Sequence, residues 1–516
     1  MTTQWLKRKW QSLPETGVRE MQARRLRDYL RRIVLPFSAY YRDLFRREGL
    51  TADSIRSLDD LRRVPLVSKA DLLNTPGHPE RAKEFLIIPD QHVLARRPGT
   101  ILNALLHGRA HAKRTLEREF RPIFLTSTTG RSADPVPFLY TNYDLENLAV
   151  TGRRLFEVCG AEPPMRLLNL FPYAPHLAFW QTHYGSTAFG VLMVSTGGGK
   201  VMGTEGNLRM IRKIKPDVLI GMPTFIYHVL HTAAEEGARC ENLRRIVLGG
   251  EKVPNGLRQK LRALAWELGA RNIDVLATYG FTEAKTAWAE CPSPPDQYPS
   301  GYHLYPDLGI IEIIDPDTGE PLPPQHPGEI VYTPLDARGS VVLRYRTGDI
   351  IDGGLFYEPC PYCGRVVPRL VGRISRSSEV KEMHLEKIKG TLIDFNELEH
   401  LLDDAPQVGS WQLELRKRND DPLELDELVL HVSKSNGVDE QKLIRDLSHR
   451  FAAHTELHPN RIVFHTAAEM RELQGVGSQL KEQRVVDHRP KPETKRPTVR
   501  TESTGNTENA EVPHEH

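Results

Sequence analysis

Between an apolar run, Ile123-Phe124-Leu125, and a second one from Val136 to Tyr140, the chain places Thr126-Ser127-Thr128-Thr129-Gly130-Arg131. Hydroxyls, backbone N–H groups and one cation packed into six residues are what a polyphosphate needs. Small side chains let the backbone approach the oxygens, and Arg131 offsets their charge. The spacing is not that of a GxxxxGK[ST] loop, since no Lys follows the Gly. Alone, such a stretch is more often an ordinary solvated turn, so its weight depends on what else the chain supplies.

Three further clusters sit at the ends of strand-like runs. Tyr279-Gly280-Phe281-Thr282-Glu283 offers a ring to stack a base, a glycine, a hydroxyl for phosphate and a carboxylate for Mg²⁺. Gly249-Gly250-Glu251 could lie against a flat ring, or could be a plain strand-end turn. Tyr345-Arg346-Thr347-Gly348-Asp349 ends in a carboxylate able to accept ribose hydroxyls or to cap a turn. Gly197-Gly198-Gly199-Lys200 lacks phosphate-loop spacing and reads as a plain turn.

Cys360-Pro361-Tyr362-Cys363-Gly364 is half a metal knuckle. Cys291 and His303, twelve residues apart, are the other half if the intervening hairpin folds back. Structural zinc on Cys291, His303, Cys360 and Cys363 is the reading favoured over two buried thiols and an unrelated His. Phe171, Tyr173, His176, Phe179, Trp180, His183 and Tyr184 form an aromatic stretch that would line an acyl pocket or pack as a core helix. No Ser-His-Asp arrangement or HExxH pair is present.

The elements that must position these groups follow from periodicity. Residues 1–120 read as helical, with Leu26, Leu30, Ile33 and Val34 on one face; the basic cluster Arg109, His111, Lys113, Arg114 reads as a solvated helix face. From 121 to about 371, strand-like runs (165–171, 188–196, 216–223, 243–251, 271–280) alternate with helical segments. Ligands of such α/β sheets sit beyond the carboxyl ends of the strands. Residues 308–333 read as a hairpin and 341–351 as a strand. From 372 to 490 the pattern becomes a smaller α+β unit, and 491–516 has the composition of a disordered tail.

The totals set bounds. A chain of 516 residues, 39% hydrophobic and 26% charged, supports two or three globular domains. A net charge of +2, from 69 basic and 67 acidic side chains, gives no global case for nucleic-acid or membrane partners. No run of 18 apolar residues occurs, and the N-terminus is no signal peptide. Five cysteines make no disulfide framework, and a reduced, cytoplasmic protein is expected.

In order along the chain, TSTTGR, GGE, YGFTE, RYRTGD and a late Lys in LQGVGSQLKEQRVVDHRPK resemble the acyl-adenylate-forming superfamily, and within it the phenylacetate–coenzyme A ligase family. The segments MQARRLRDYLRRIVLPFSAYYRDLF and SLDDLRRVPLVSKADL are similar to that family's helical entry. The resemblance implies an α/β fold: a large N-terminal adenylate-forming domain of mixed sheets and helices, with a small mobile α+β C-terminal domain. It implies that Thr126, Thr128, Thr129, Gly130 and Arg131 hold the β- and γ-phosphates of ATP. Gly250 and Glu251 would flank the adenine under Tyr279, Thr282 would meet the α-phosphate and Glu283 the Mg²⁺. Asp349 would bind the ribose with Arg373 nearby, and Lys481 would bring its charge to the carboxylate and α-phosphate. A carboxylate attacking an α-phosphate brings two anions together, so cations must gather there; a Lys on a mobile domain can be delivered and withdrawn.

The implied activity is ATP-dependent activation of a carboxylic acid, aromatic at family level, followed by transfer to coenzyme A. The loop departs from the family's Ser-Gly start and Lys. The hinge reads GRISRSSEVK in place of the family's Asp residues, and EMHLEKIKGTLIDFNELE is longer than its pattern. These departures keep open a carrier protein or amine as acyl acceptor, and a nucleotide-binding module without turnover. A homodimer is a family-level expectation.

Overall fold

The computed structural model describes residues 10–128, 135–376, 387–388, 391–392, 395–417, 426–435, 437–455, 459–476 and 482–489. Strands β1 (Pro122–Ser127) and β2 (Pro137–Thr141) pair as an antiparallel hairpin around the hydroxyl loop. Strands β3 (Arg166–Asn169), β4 (Leu192–Ser195), β5 (Val218–Gly221), β6 (Arg245–Leu248) and β7 (Asp274–Phe281) run parallel in the order β4-β3-β5-β6-β7. Short continuous apolar runs such as Val218-Leu219-Ile220 suit this position, since both faces of the sheet are covered.

At β7 the sheet changes sense. Strands β8 (Thr286–Ala289) and β9 (Tyr302–His303) continue it antiparallel. After β10 (Gly309–Ile314), β11 (Gly328–Pro334) and β12 (Tyr345–Ile351), which form a separate antiparallel sheet, β13 (Gly354–Phe356) and β14 (Arg369–Val371) close the nine-stranded sheet. Strand β15 (Ile374–Arg376) returns to pair with β12, so residues 374–376 belong to the large unit's second sheet.

Helices Gly198–Ile214, Pro223–Glu235 and Asn255–Glu267 bury one face of the parallel strands through Leu208, Ile211, Ile226, Val229, Leu257 and Leu261. Helices Asn142–Val158 and Leu177–Phe189 cover the other. They cross at Gly152 and Gly185, where a Cβ on Gly152 would lie 2.5 Å from the Gly185 Cα; a side chain there would force the helices apart. The N-terminal helices join β2 and Val341–Leu343 in a third core.

The smaller unit holds a two-residue pair, β16 (Lys387–Ile388) and β17 (Thr391–Leu392), and a four-stranded sheet. The sheet consists of β18 (Val408–Lys417), β19 (Asp426–Lys434), β20 (Arg461–His465) and β21 (Val485–Asp487), in the order β20-β19-β18-β21. Helices Phe395–Asp403 and Glu440–Thr455 pack on it through Leu398, Leu402, Leu443, Leu447 and Phe451. A mixed α/β large unit with a smaller C-terminal unit is the architecture the sequence pattern implies.

One local expectation changes. Residues 197–200 are not a plain turn: Gly197 caps, and Gly198 opens, the helix that follows β4, with positive φ at both glycines. The basic cluster Arg109, His111, Lys113 and Arg114 is a solvated helix face as expected, lying exposed on helix Arg109–Phe120, which Gly108 (φ 86°, ψ 156°) separates from helix Pro98–His107. Lys481 and the tail 491–516 lie outside the described residues, as do Thr129, Gly130 and Arg131.

Candidate active site

Parallel strands β6 and β7 end side by side, with Leu248 paired to Ala277, so GGE and YGFTE leave the sheet together. The Thr278 hydroxyl donates to the Leu248 carbonyl at 3.0 Å. A Cβ on Gly249 would meet Thr278 Oγ1 at 2.3 Å, and Gly250 has φ 86°. Both positions therefore require glycine, leaving a bare backbone ledge at the carboxyl end of β6, next to the end of β7. A flat heterocycle can approach such a ledge.

From the second sheet β12 brings Asp349 to the Tyr279 ring. The Tyr279 hydroxyl donates to Asp349 Oδ2 at 2.8 Å, and Arg376 Nε meets Asp349 Oδ1 at 3.0 Å. Burial pushes the Tyr279 phenol well above its usual range, so it stays a donor. The cation on Asp349 is thus Arg376, a residue the sequence did not single out. Arg373 is exposed and turns to Asp352, its Nε at 2.8 Å from Oδ2. The register of β12 against β15 explains this: Asp349 lies opposite Arg376, three positions beyond Arg373.

Thr282 and Glu283 form a single helical turn after β7. The Thr282 hydroxyl reaches the Ser127 carbonyl of the hydroxyl loop at 3.5 Å, and His176 Nδ1 lies 3.3 Å from the same oxygen. Thr126 is fully buried and donates to the Tyr140 hydroxyl at 3.0 Å; Thr128 Oγ1 accepts from the Val136 N–H at 3.0 Å. These two threonines stiffen the hairpin stem, and their hydroxyls are already engaged there. Glu283 accepts from the Tyr345 hydroxyl at 2.6 Å. Its carboxyl is pushed up by burial, against which the Tyr345 hydrogen bond works.

Lys285, which sequence reasoning passed over, fastens this turn. Its Nζ lies 3.2 Å from Asp144 Oδ2 and donates to the Leu139 carbonyl of β2 at 2.8 Å, with both partners of the ion pair buried. Asp144 also accepts from the backbone N–H groups of Thr141, Arg338 and Gly339. One buried pair therefore ties the hydroxyl hairpin, the YGFTE turn and the 336–340 segment together.

The small unit reaches the same ledge. Glu251 accepts from the Thr224 hydroxyl at 2.8 Å, and that hydroxyl also contacts the Glu482 carboxyl. Glu482 adjoins Lys481 in sequence. Arg484 links Glu482 to Asp403, at 3.2 Å and 2.8 Å. Lys252 pairs with Glu399 of the small unit at 2.7 Å. Residues flanking the expected lysine are therefore held against the GGE ledge.

The aromatic stretch divides. Phe179 is buried, whereas Trp180 meets Phe124 (centroids 4.9 Å) and Tyr173 (5.7 Å), and Tyr173 is exposed. The helix is a packed element whose half-buried face, Trp180 and Tyr184 with Phe124 of β1, adjoins the hydroxyl loop.

Away from the ledge, Cys291, His303, Cys360 and Cys363 converge, with one ligand atom of each within 4.8 Å of the others. Cys291 and Cys360 sulfurs are 3.6 Å apart, and His303 Nε2 is 3.2 Å from Cys363 Sγ. Tetrahedral Zn–S bonds of about 2.3 Å put sulfurs about 3.8 Å apart. His303 Nδ1 faces the Ala289 carbonyl at 3.4 Å, which makes that nitrogen the donor and leaves Nε2 as a ligand. The Ser300 hydroxyl touches both Cys360 and Cys291 sulfurs.

The family model described as "AMP-binding enzyme" matches residues 147–334, a stretch holding GGE and YGFTE. The chain is 27% identical over 432 residues to phenylacetate–coenzyme A ligase of Thermus thermophilus, covering 82% of this chain and 83% of that protein. It is 26% identical over 316 residues to the ligase of the same name from Escherichia coli K12, covering 60% of this chain and 61% of that one. Its fold matches 2-hydroxyisobutyryl-CoA ligase in the postadenylation state with 2-HIB-AMP: TM-score 0.72, 19% identity, 93% of this chain and 92% of that one. Against that ligase in the thioesterification state the TM-score is 0.59, with 20% identity and the same coverage. Over residues 147–334 the chain is similar to AMP-binding enzymes, and over most of its length to phenylacetate–coenzyme A ligases, with the fold of an acyl-coenzyme A ligase.

Proposed function

We propose that this protein is an AMP-forming acid–coenzyme A ligase, which activates a carboxylic acid as its adenylate and transfers the acyl group to coenzyme A. The observation that carries this reading is the meeting of Tyr279, Asp349 and the Gly249–Gly250 ledge at the carboxyl ends of β6 and β7, with Thr282 against the hydroxyl loop. In it, Tyr279 and the ledge take the adenine flanked by Glu251, and Asp349 takes the ribose hydroxyls. Thr282 with Thr129, Gly130 and Arg131 would meet the phosphates, Thr126 and Thr128 serving as the stem of that loop, and Glu283 serves Mg²⁺. Lys481 supplies the cation that offsets charge as carboxylate meets α-phosphate. An aromatic acid suits the Phe124, Trp180 and Tyr184 face.

The higher TM-score to the postadenylation state supports reading the present seat of the small unit, Glu482 against Thr224, as the adenylating arrangement. Its displacement would then open the ledge for coenzyme A. The test is mass spectrometry of products from ATP, an aryl acid and coenzyme A: an acyl thioester with AMP supports the reading, and AMP release without thioester assigns another acceptor.

The four-residue sulfur and imidazole cluster fits structural Zn²⁺, which would pin β9 and the knuckle 360–364 beneath the end of the large sheet. It lies apart from the ledge and supplies no step of the reaction. The free state of all five cysteines suits a reducing compartment, and we place the protein in the cytoplasm on that ground and on its need for ATP and coenzyme A.

A further inference from the structure

Helix Pro98–His107 is amphipathic in the reverse sense. Its half-buried positions are Thr100, Asn103 and Ala104, and no residue of it is fully buried. Its outward face carries Ile101, Leu102, Leu105 and Leu106, with relative exposures of 46, 57, 78 and 67%. Spaced i, i+1, i+4 and i+5, they form one continuous stripe. Scattered exposed leucines need no explanation, but four on one helix face do.

The surroundings of this stripe are cationic. Between residues 96 and 121 the chain has seven Arg and Lys against two Glu, a local net charge of +5 within a protein of net charge +2. The two acids are engaged: Glu119 accepts from Arg338 at 2.8 Å, and Glu117 lies 4.0 Å from Lys113. Arg118 pairs with Glu146. Arg96, Arg109, Arg114 and Arg121 are exposed and enter no ion pair among the described residues. His107 and His111 stand at the joint between the helices, their rings 5.1 Å apart.

We propose that this helical hairpin docks the protein on an anionic phospholipid surface, with the leucine stripe in the acyl–headgroup boundary and the arginines on lipid phosphates. An exposed apolar stripe flanked by cations is the pattern of an interfacial helix, the cations being drawn to an anionic leaflet. Charge complementarity argues against a second copy, since an isologous contact would set arginines against arginines. The hairpin does not span a bilayer: no helix among the described residues is long and apolar enough. The global charge balance, which gave no case for a membrane, hides this local asymmetry.

The test is sedimentation of the full chain with vesicles of phosphatidylcholine alone, and of phosphatidylcholine with phosphatidylglycerol, at low and high salt. Binding to the anionic vesicles, falling with salt and absent on neutral ones, is expected. Leu105→Ser with Leu106→Ser should weaken it at least tenfold, and Arg109→Gln with Arg114→Gln about tenfold. Both variants change only exposed side chains, and circular dichroism checks their fold. Wild-type protein that ignores anionic vesicles at low salt, or variants that bind as well as wild type, would overturn the proposal. Two other results would also overturn it: retention on a polyglutamate resin without vesicle binding, which assigns the surface to an acidic protein, and a dimer made monomeric by the leucine variant, which assigns it to a second copy.

Discussion

Tyr279 and Asp349, seventy residues apart and from different sheets, share a 2.8 Å hydrogen bond in which the phenol donates to the carboxylate. The nine-stranded sheet delivers the ring and the second sheet delivers the acid, so the bond sits on the seam between them. On the other side Arg376 holds the second carboxylate oxygen. The carboxylate is thereby oriented before any ribose arrives, which reduces the ordering cost of binding.

Removing this carboxylate should weaken nucleotide binding. Asp349→Ala is expected to reduce ATP affinity by about 2–3 kcal/mol, roughly thirty- to 160-fold, since hydrogen bonds to a charged group are lost. Arg376→Gln should cost less, and Arg373→Gln, whose partner is Asp352, should leave affinity unchanged. Calorimetric titration with ATP checks the order; an Arg373 effect exceeding that of Arg376 would refute the assignment.

The seat of the small unit should depend on pH through Glu482. Burial raises its pKa above the ordinary 4.5, against which Arg484 works. A carboxyl whose pKa is raised in the docked state binds more protons docked than free. Docking is therefore fully favoured below the free value and weakens as pH rises through the docked one. Protease sensitivity of the segment between β15 and β18 should accordingly increase with pH above about 4.5, and Glu482→Gln should flatten that profile.

Breaking the buried pair beneath the YGFTE turn should be costly. Burial lowers the Lys285 pKa, while Asp144 works to keep it charged. Lys285→Met strands Asp144 without its cation and is expected to destabilise the large unit by about 3–5 kcal/mol. Urea unfolding measures this; the double variant Lys285→Met with Asp144→Asn should recover part of the loss if the stranded charge is the cause.

Metal content is a separate expectation. Purified protein should carry about one zinc per chain by elemental analysis. Chelation or Cys360→Ala should lower Tm by several degrees while leaving the ATP affinity of the remaining folded protein near its original value. A metal-free protein of unchanged Tm would dismiss the site.

Much of this was legible in the chain. GGE and YGFTE were visible because each follows an apolar run and needs small or polar residues where the parallel strands stop, whereas RTGD, read as ending a strand, lies inside β12. The convergence of Cys291, His303, Cys360 and Cys363 was visible because Cys is scarce and CxxC has knuckle spacing. Arg376 was not, because its partner is fixed by the β12–β15 register, which no local pattern encodes. Lys285 and Asp144 drew no notice, because only tertiary packing brings the two together and buries them. The reversed helix Pro98–His107 was invisible for a related reason: an apolar stripe in sequence normally signals a core face, and only the fold shows that it points outward.

The most direct test of the account is ATP–pyrophosphate exchange with a panel of aromatic and fatty acids, run with and without coenzyme A and repeated with Lys481→Ala. Exchange with at least one acid, converted by coenzyme A into net AMP and thioester and reduced at least a hundredfold in the lysine variant, is the predicted result. ATP binding with no exchange for any acid, or exchange untouched by loss of Lys481, would contradict it.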